Sequence, residues 1–225
     1  MPHPTTMPLP RPDVPTPPAP HGVKPLRDPA PMLARLRAQW GGRHDLWVFG
    51  YASLIWRPEF AAEERRSATV HGWHRALRMR SRVNRGTPET PGLVFALLPG
   101  GSCRGVVYRL SRERAHHELD ALWAREMPTG VYDPRWLPCR TPQGPVRALA
   151  FTLSRRSEAC LPPLPDEQLL HVLRHARGRF GTTLEYLAET AHALSRHGVT
   201  DREIERLMRL ARRHGLLAEP ASDRA

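Results

Sequence analysis

The spacing of apolar residues changes period along the chain. Leu46 to Phe49 is an unbroken apolar run of strand length ended by Gly50, and further strands are predicted over 68–79, 93–98, 104–110 and 146–153, separated by Gly and Pro signals. Gly50 is expected to supply the backbone freedom that turns the chain at the end of the first strand, over 46–51. Helical spacing appears earlier, over 31–40, with Met32, Leu33 and Leu36 on one side. It returns after Ser111, a predicted N-cap for a helix in which Leu119, Leu122 and Trp123 share a face and beyond whose end Glu126 emerges. The last third reads as three helices over 166–177, 182–196 and 201–214. Thr200 and Glu203 form a predicted capping box ahead of Ile204, Leu207, Met208 and Ala211. Strands first and helices later predict an α+β domain.

Composition narrows the class. The 225 residues suffice for a substantial core. No apolar run approaches the roughly 18 residues needed to span a bilayer, and no apolar secretory core stands near the N-terminus, so a cytoplasmic location is expected. Twelve of the 25 prolines fall in the first 31 residues, which predicts a disordered extension over 1–30, a single folded domain over 31–218 and a flexible tail over 219–225. Cys103, Cys139 and Cys160 are widely spaced without a Cys-x-x-Cys pair, and read as reduced and incidental.

The net charge of +12 makes nucleic acid a partner to weigh. Against it, the arginines are spread along the chain, no zinc-finger or RRM signature occurs, and Lys24 is the only lysine. A positive field would also gather a small anionic peptide.

The candidate chemistry lies in two segments. Val48-Phe49-Gly50-Tyr51-Ala52-Ser53-Leu54-Ile55-Trp56 reads as a buried strand breaking into a loop of small residues, whose successive N–H groups suit a carboxylate or a developing oxyanion. Further along, Leu122-Trp123-Ala124-Arg125-Glu126-Met127-Pro128-Thr129-Gly130-Val131-Tyr132 places a carboxylate just past a helical pattern. A third block is Asn84-Arg85-Gly86-Thr87-Pro88-Glu89-Thr90-Pro91-Gly92, followed by Gly105-Val106-Val107-Tyr108-Arg109-Leu110. In order and approximate spacing these blocks resemble the ChaC-like family of γ-glutamylcyclotransferases, over roughly Leu46 to His214.

That resemblance implies a small barrel-like sheet flanked by helices, and a lyase reaction on glutathione giving 5-oxoproline and Cys-Gly without cofactor or metal. It implies that Glu126 is the catalytic acid and base, and that the backbone of Tyr51, Ala52, Ser53 and Leu54 holds the glutamyl group. Tyr132 follows the glutamate at the family's spacing, and Tyr186 matches a tyrosine of a late Glu-Tyr-Leu helix whose hydroxyl points into the site. Arg85 could pair with a substrate carboxylate. Each also has a structural reading: Tyr186 as a core aromatic, Arg85 as the holder of a loop. Two departures stand out. Ala52 replaces the usual glycine, at a cost of roughly 1–2 kcal/mol if positive φ is required. Arg155-Arg156-Ser157-Glu158-Ala159-Cys160 replaces an Asn-Pro-rich segment, a change that bears on substrate choice. Turnover of another γ-glutamyl peptide or amine, and a non-catalytic module binding anions or nucleic acid, stay open as alternatives.

Other constellations are weaker. Ser53 is not in a Gly-x-Ser-x-Gly elbow. His171 and His175 have the spacing of a metal pair without a third convergent ligand, and His116-His117 reads as a solvated helix face. No phosphate-binding Gly-x-x-x-x-Gly-Lys loop exists in the chain.

Overall fold

The structure, a computed structural model, describes residues 26–218. The expected proline-rich extension and C-terminal tail lie almost entirely outside the described residues. At the extension's inner end, the N–H of Leu26, five positions before Pro31, donates to Thr129 O at 2.8 Å.

Helix α1 (Ala30–Trp40) precedes strand β1 (Leu46–Gly50) and a single helical turn, α2 (Ser53–Trp56). Two long strands follow, β2 (Glu64–Ser81) and β3 (Gly92–Leu110), then helix α3 (Arg112–Glu126) and strands β4 (Asp133–Thr141) and β5 (Gly144–Thr152). The remaining elements are α4 (Asp166–His175), the short strands β6 (Arg177–Gly178) and β7 (Gly181–Thr182), α5 (Thr183–Arg196) and α6 (Arg202–Arg213). The described chain forms two compact units. One contains the residues up to Arg75 and Ala96–Ser157; the other contains Ala76–Phe95 and the residues from Glu158 onward.

Strands β1, β3, β2, β4 and β5 close in that order into a barrel. In the first unit, β1 runs antiparallel to β3 from Leu46 opposite Leu110 to Gly50 opposite Val106, and parallel to β5 where Val48 meets Leu149. Leu46, Val48 and Phe49 are fully buried, as are Val106, Val107, Ala148 and Leu149. This explains why β1 reads as a continuous apolar run rather than an alternation: a strand buried on both faces has no solvent side to mark with polar residues. Trp123 of α3 meets Phe151 of β5 at 6.1 Å between rings, so the helix that ends in Glu126 is anchored on the barrel wall by aromatic burial.

The predicted local structure needs correction at several points. The strands expected over 93–98 and 104–110 are one strand, β3. Gly100 and Gly101 take left-handed φ of 104° and 70° and redirect the strand without ending it. Strand β4 was hidden by Pro134 and Pro138. It pairs with β5 along its whole length but with β2 only at Thr69 and Val70, opposite Arg140 and Cys139, so neither proline sits at the two-sided pairing. Glu126 is the last residue of α3, not a residue beyond it.

In the second unit Leu169, Leu170 and Leu173 of α4, Leu187 and Leu194 of α5 and Ile204, Leu207 and Leu210 of α6 are buried. Helix α5 opens with a reciprocal cap, in which Thr182 Oγ1 accepts from Glu185 N at 3.0 Å and Glu185 Oε2 accepts from Thr182 N at 2.6 Å. The box expected at Thr200 and Glu203 is displaced by one residue. Asp201 caps α6, its carboxylate accepting from Ile204 N at 3.1 Å, because a carboxylate next to the first turn satisfies the orphan N–H better than a more distant hydroxyl. The divergent segment after Ser157 runs beside the end of β2: Ala159 O accepts from Arg80 N, and Leu161 N donates to Arg78 O, each at 2.8 Å. Among the described residues no helix is long and apolar enough to cross a membrane, and no group of three His, Cys, Asp or Glu side chains converges as a metal site would require.

Candidate active site

In the first unit β1 ends at Gly50, and the chain turns through Tyr51 and Ala52 into α2. Gly50 is not among the positive-φ glycines; space demands it instead, since a Cβ there would meet Leu54 Cβ at 3.1 Å and the Tyr108 ring at 3.2 Å. Ala52 has φ of −147°, so the exchange of glycine for alanine carries no left-handed penalty. Ala52 O accepts from Ile55 N at 2.8 Å, and Ser53 O from Arg57 N at 2.7 Å, which closes the turn. As the first two helical positions, Ser53 and Leu54 have N–H groups without intrahelical acceptors, the arrangement that suits an anion.

Tyr51 is held from both ends. Its hydroxyl donates to Phe151 O at 3.0 Å, and its carbonyl accepts from Arg75 Nε at 2.5 Å. Arg75 is buried and also donates to Arg104 O at 2.6 Å. Tying the Tyr51 carbonyl to a buried cation fixes the peptide orientation at the start of the loop and adds positive charge beside it.

Glu126 closes α3, its side chain 13% exposed. Burial pushes its carboxyl above the ordinary carboxylate range; the adjacent Arg125 opposes that shift and nearby Glu59 reinforces it. Arg125 joins the pieces. Its Nε pairs with Glu126 at 3.0 Å, its Nη1 with Glu59 at 3.2 Å and with the carbonyl of Arg57, and its Nη2 donates to Ser53 Oγ at 3.3 Å. A planar guanidinium engaged on three nitrogens sets the angle between loop and carboxylate as well as the distance. Glu59 also pairs with Arg57, and its φ of 56° makes it the one positive-φ non-glycine among the described residues, a conformation costing roughly 1–3 kcal/mol.

Beyond Glu126 the chain turns at Gly130, with φ of 63°, where a Cβ would strike the carbonyl of Arg27. Arg27 gathers this segment: Nε donates to Gly130 O at 2.8 Å, Nη2 to Tyr132 O at 2.7 Å, and Nη1 pairs with Asp133 at 2.7 Å. Tyr132 is buried edge-on against Phe151, with ring centroids 6.2 Å apart.

The expected residues thus divide between the units. Tyr51, Ala52, Ser53, Leu54, Glu126 and Tyr132 belong to the first, where Arg125 joins Ser53 to Glu126 directly. Arg85 and Tyr186 belong to the second. There the Arg85 guanidinium lies 5.2 Å from the Tyr186 ring centroid, donates to Phe180 O at 2.6 Å and Thr182 O at 3.4 Å, and pairs with Glu189 at 3.4 Å. Burial lowers its pKa from the usual arginine range, with Glu189 opposing that shift. The Tyr186 hydroxyl accepts from Phe95 N at 3.2 Å. Sequence reasoning missed Glu59, Arg75 and Arg27. No periodicity marks them, and Arg27 falls in the segment assigned to the extension.

Residues 46–214 match the model of the ChaC-like protein family. The glutathione-specific γ-glutamylcyclotransferase of Escherichia coli (strain K12) is 35% identical over 179 residues, covering 79% of this chain and 77% of the relative. Glutathione-specific γ-glutamylcyclotransferase 1 of Mus musculus is 34% identical, covering 74% and 77%. A crystal structure of the glutathione-specific γ-glutamyl cyclotransferase from yeast superposes with a TM-score of 0.69 at 22% identity, covering 76% of this chain and 97% of that one, so the fold is shared.

Proposed function

This chain belongs to the ChaC-like family, and on that premise we propose that it is a γ-glutamylcyclotransferase that cleaves glutathione to 5-oxoproline and Cys-Gly. The observation that carries the site assignment is the mostly buried Glu126 carboxyl, its pKa raised, joined through Arg125 to the loop at Ser53.

The chemistry follows from the substrate. The glutamyl α-amine attacks its own γ-carbonyl carbon, a new C–N bond closes the five-membered ring, and the bond to the cysteinyl nitrogen breaks. Nucleophile and electrophile belong to one molecule, so the reaction consumes neither water nor cofactor and calls for no metal. The protein must fold the glutamyl arm into attack geometry, a gain of several kcal/mol where reacting atoms are held in near-attack positions. The loop from Tyr51 to Leu54 supplies that grip, its N–H groups facing the substrate α-carboxylate.

Glu126 takes a proton from the α-ammonium and returns it to the departing cysteinyl amine, so the carboxylate is regenerated in each cycle. A carboxylate in water is a poor base for an ammonium; raising its affinity for protons narrows the gap, and acid–base assistance of this kind contributes about 10²–10⁴-fold. In the second unit, Arg85 supports the Tyr186 ring. Tyr132 lines the site through its ring. A cytoplasmic setting, where glutathione is abundant and thiols stay reduced, agrees with three cysteines in thiol form, of which buried Cys139 has its thiol pushed up to about 12.

Purified protein incubated with glutathione is expected to release 5-oxoproline and Cys-Gly in equal amounts, detected by mass spectrometry. Glu126→Gln should lower the rate by about 10²-fold or more. Equal turnover in both proteins removes Glu126 from its role; no turnover in either, repeated over other γ-glutamyl peptides and amines, leaves a binding module.

A further inference from the structure

We infer that Glu59 is a positioning residue for the reaction, acting through Arg125 on Glu126 and on the loop at Ser53. The inference rests on the reading of Glu126 as the base. Glu59 lies in the segment after α2, its side chain 10% exposed, with one oxygen toward Arg57 and the other 3.2 Å from Arg125 Nη1. The same guanidinium meets Glu126 through Nε and Ser53 through Nη2. Two buried carboxylates therefore share one cation, and the one in the loop segment decides where that cation rests. Without Glu59, the guanidinium would be free to swing and pair in two-pronged fashion with Glu126. That would quench the base and release Ser53 together.

The backbone supports this assignment. Glu59 keeps a left-handed φ of 56° that its side chain disfavours, and such strain persists only where surrounding contacts over-determine it. Those contacts are its two arginines. Arg57 is itself bound into the cluster, since its carbonyl accepts from Arg125 Nη1. Glu59, Arg57 and Arg125 thus form a closed ring of contacts in which each member touches the other two. A rigid ring fixes the cation, and the cation fixes the carboxylate that does the chemistry.

Charge gives the readout. The charged groups acting on Glu126 are Arg125 from its own helix, which lowers its pKa, and Glu59 from the segment after α2, which raises it; Arg57 in turn faces Glu59. Removing the Glu59 charge should therefore move the acid limb of the kcat profile to lower pH, while lost geometry lowers the maximum.

The experiment measures kcat and KM for glutathione against pH in wild type, Glu59→Gln and Glu126→Gln, with thermal melts to check folding. Using one substrate cancels its own amine ionisation. Glu59→Gln is expected to lose about ten- to a hundredfold in kcat, as for a misplaced reacting group, with KM within about threefold and the acid limb displaced to lower pH. An acid limb that stays at the wild-type position in folded Glu59→Gln overturns the inference, whatever its kcat. If Glu59→Gln does not fold, Glu59→Gly, which accepts the left-handed backbone, provides the same limb. Should Glu126→Gln turn over like wild type, the base assignment fails and this inference falls with it. An inactive Glu126→Gln beside an unmoved limb in the Glu59 variant sinks this inference alone.

Discussion

Two partly buried arginines, one in each unit, have been put to different uses. Arg125 stands between two carboxylates, one on a strained backbone and one at a helix end, and reaches a hydroxyl in the loop. Arg85 stands among backbone carbonyls and a tyrosine ring, with the carboxylate of the half-exposed Glu189 at 3.4 Å. The first arrangement holds like charges close together and resists the ordinary ionisation of Glu126, at a cost that packing alone would not require. The second satisfies orphan carbonyls where β6 and β7 lead into α5, as scaffolding does. The company an arginine keeps separates the two roles better than its burial.

The comparison breaks most visibly at Glu126 and its cation. Replacing Arg125 with Met removes the charge that favours the Glu126 carboxylate. The acid limb of kcat should then move to higher pH, opposite to Glu59→Gln, and turnover near neutrality should fall by about 10²-fold, the scale of a misplaced reacting group. Arg85→Met should leave that limb in place and appear in the melting curve instead, because carbonyls left unpaired cost about 1–3 kcal/mol. For a chain of this size that is a drop of roughly 2–12 °C. If the two variants exchanged these signatures, the division between chemistry and scaffold would be wrong.

A smaller effect concerns stability and pH. Because the folded protein raises the Glu126 pKa, between the ordinary carboxylate range and the raised value the native state keeps a proton that the unfolded chain has lost. Stability from this group is therefore full at low pH and is lost as pH rises through the folded value. Glu126→Gln, which mimics the protonated form, should melt above wild type at alkaline pH, and the two curves should converge on acidification. A melting difference that instead grows toward low pH would reverse the sign of the shift.

The smallest expected change is at Ala52. With φ at −147°, restoring glycine relieves no left-handed strain and adds freedom to the unfolded chain. Ala52→Gly should thus cost about 0.4–1 kcal/mol in stability, with KM for glutathione changed less than about threefold. A large gain in affinity would show instead that the alanine methyl crowds the ligand.

Much of this was legible in the chain. The apolar run at Leu46 to Phe49, the strand at Val146, the helix behind Ser111 and the helical last third all appear where hydrophobic periodicity put them. The ordered blocks around Tyr51, Arg85 and Glu126 pointed to the family. Misreadings arose where local signals conflict with pairing. Pro-Gly-Gly at 99–101 normally ends a strand, yet β3 continues through it to Leu110; Pro134 and Pro138 mask β4 because only its neighbours reveal that their missing N–H groups are not needed.

What the sequence by itself determined is the set of elements, the family and the carboxylate at Glu126, because period, capping residues and motif order are properties of neighbours along the chain. Only the tertiary structure decided that Glu59, 67 positions before Glu126, shares a guanidinium with it, that Arg75 holds the Tyr51 carbonyl, and that Arg27 gathers the segment around Tyr132. Ion pairing and hydrogen bonding act over a few ångströms in space and leave no period in sequence. A partner distant along the chain is therefore visible only once the barrel has closed.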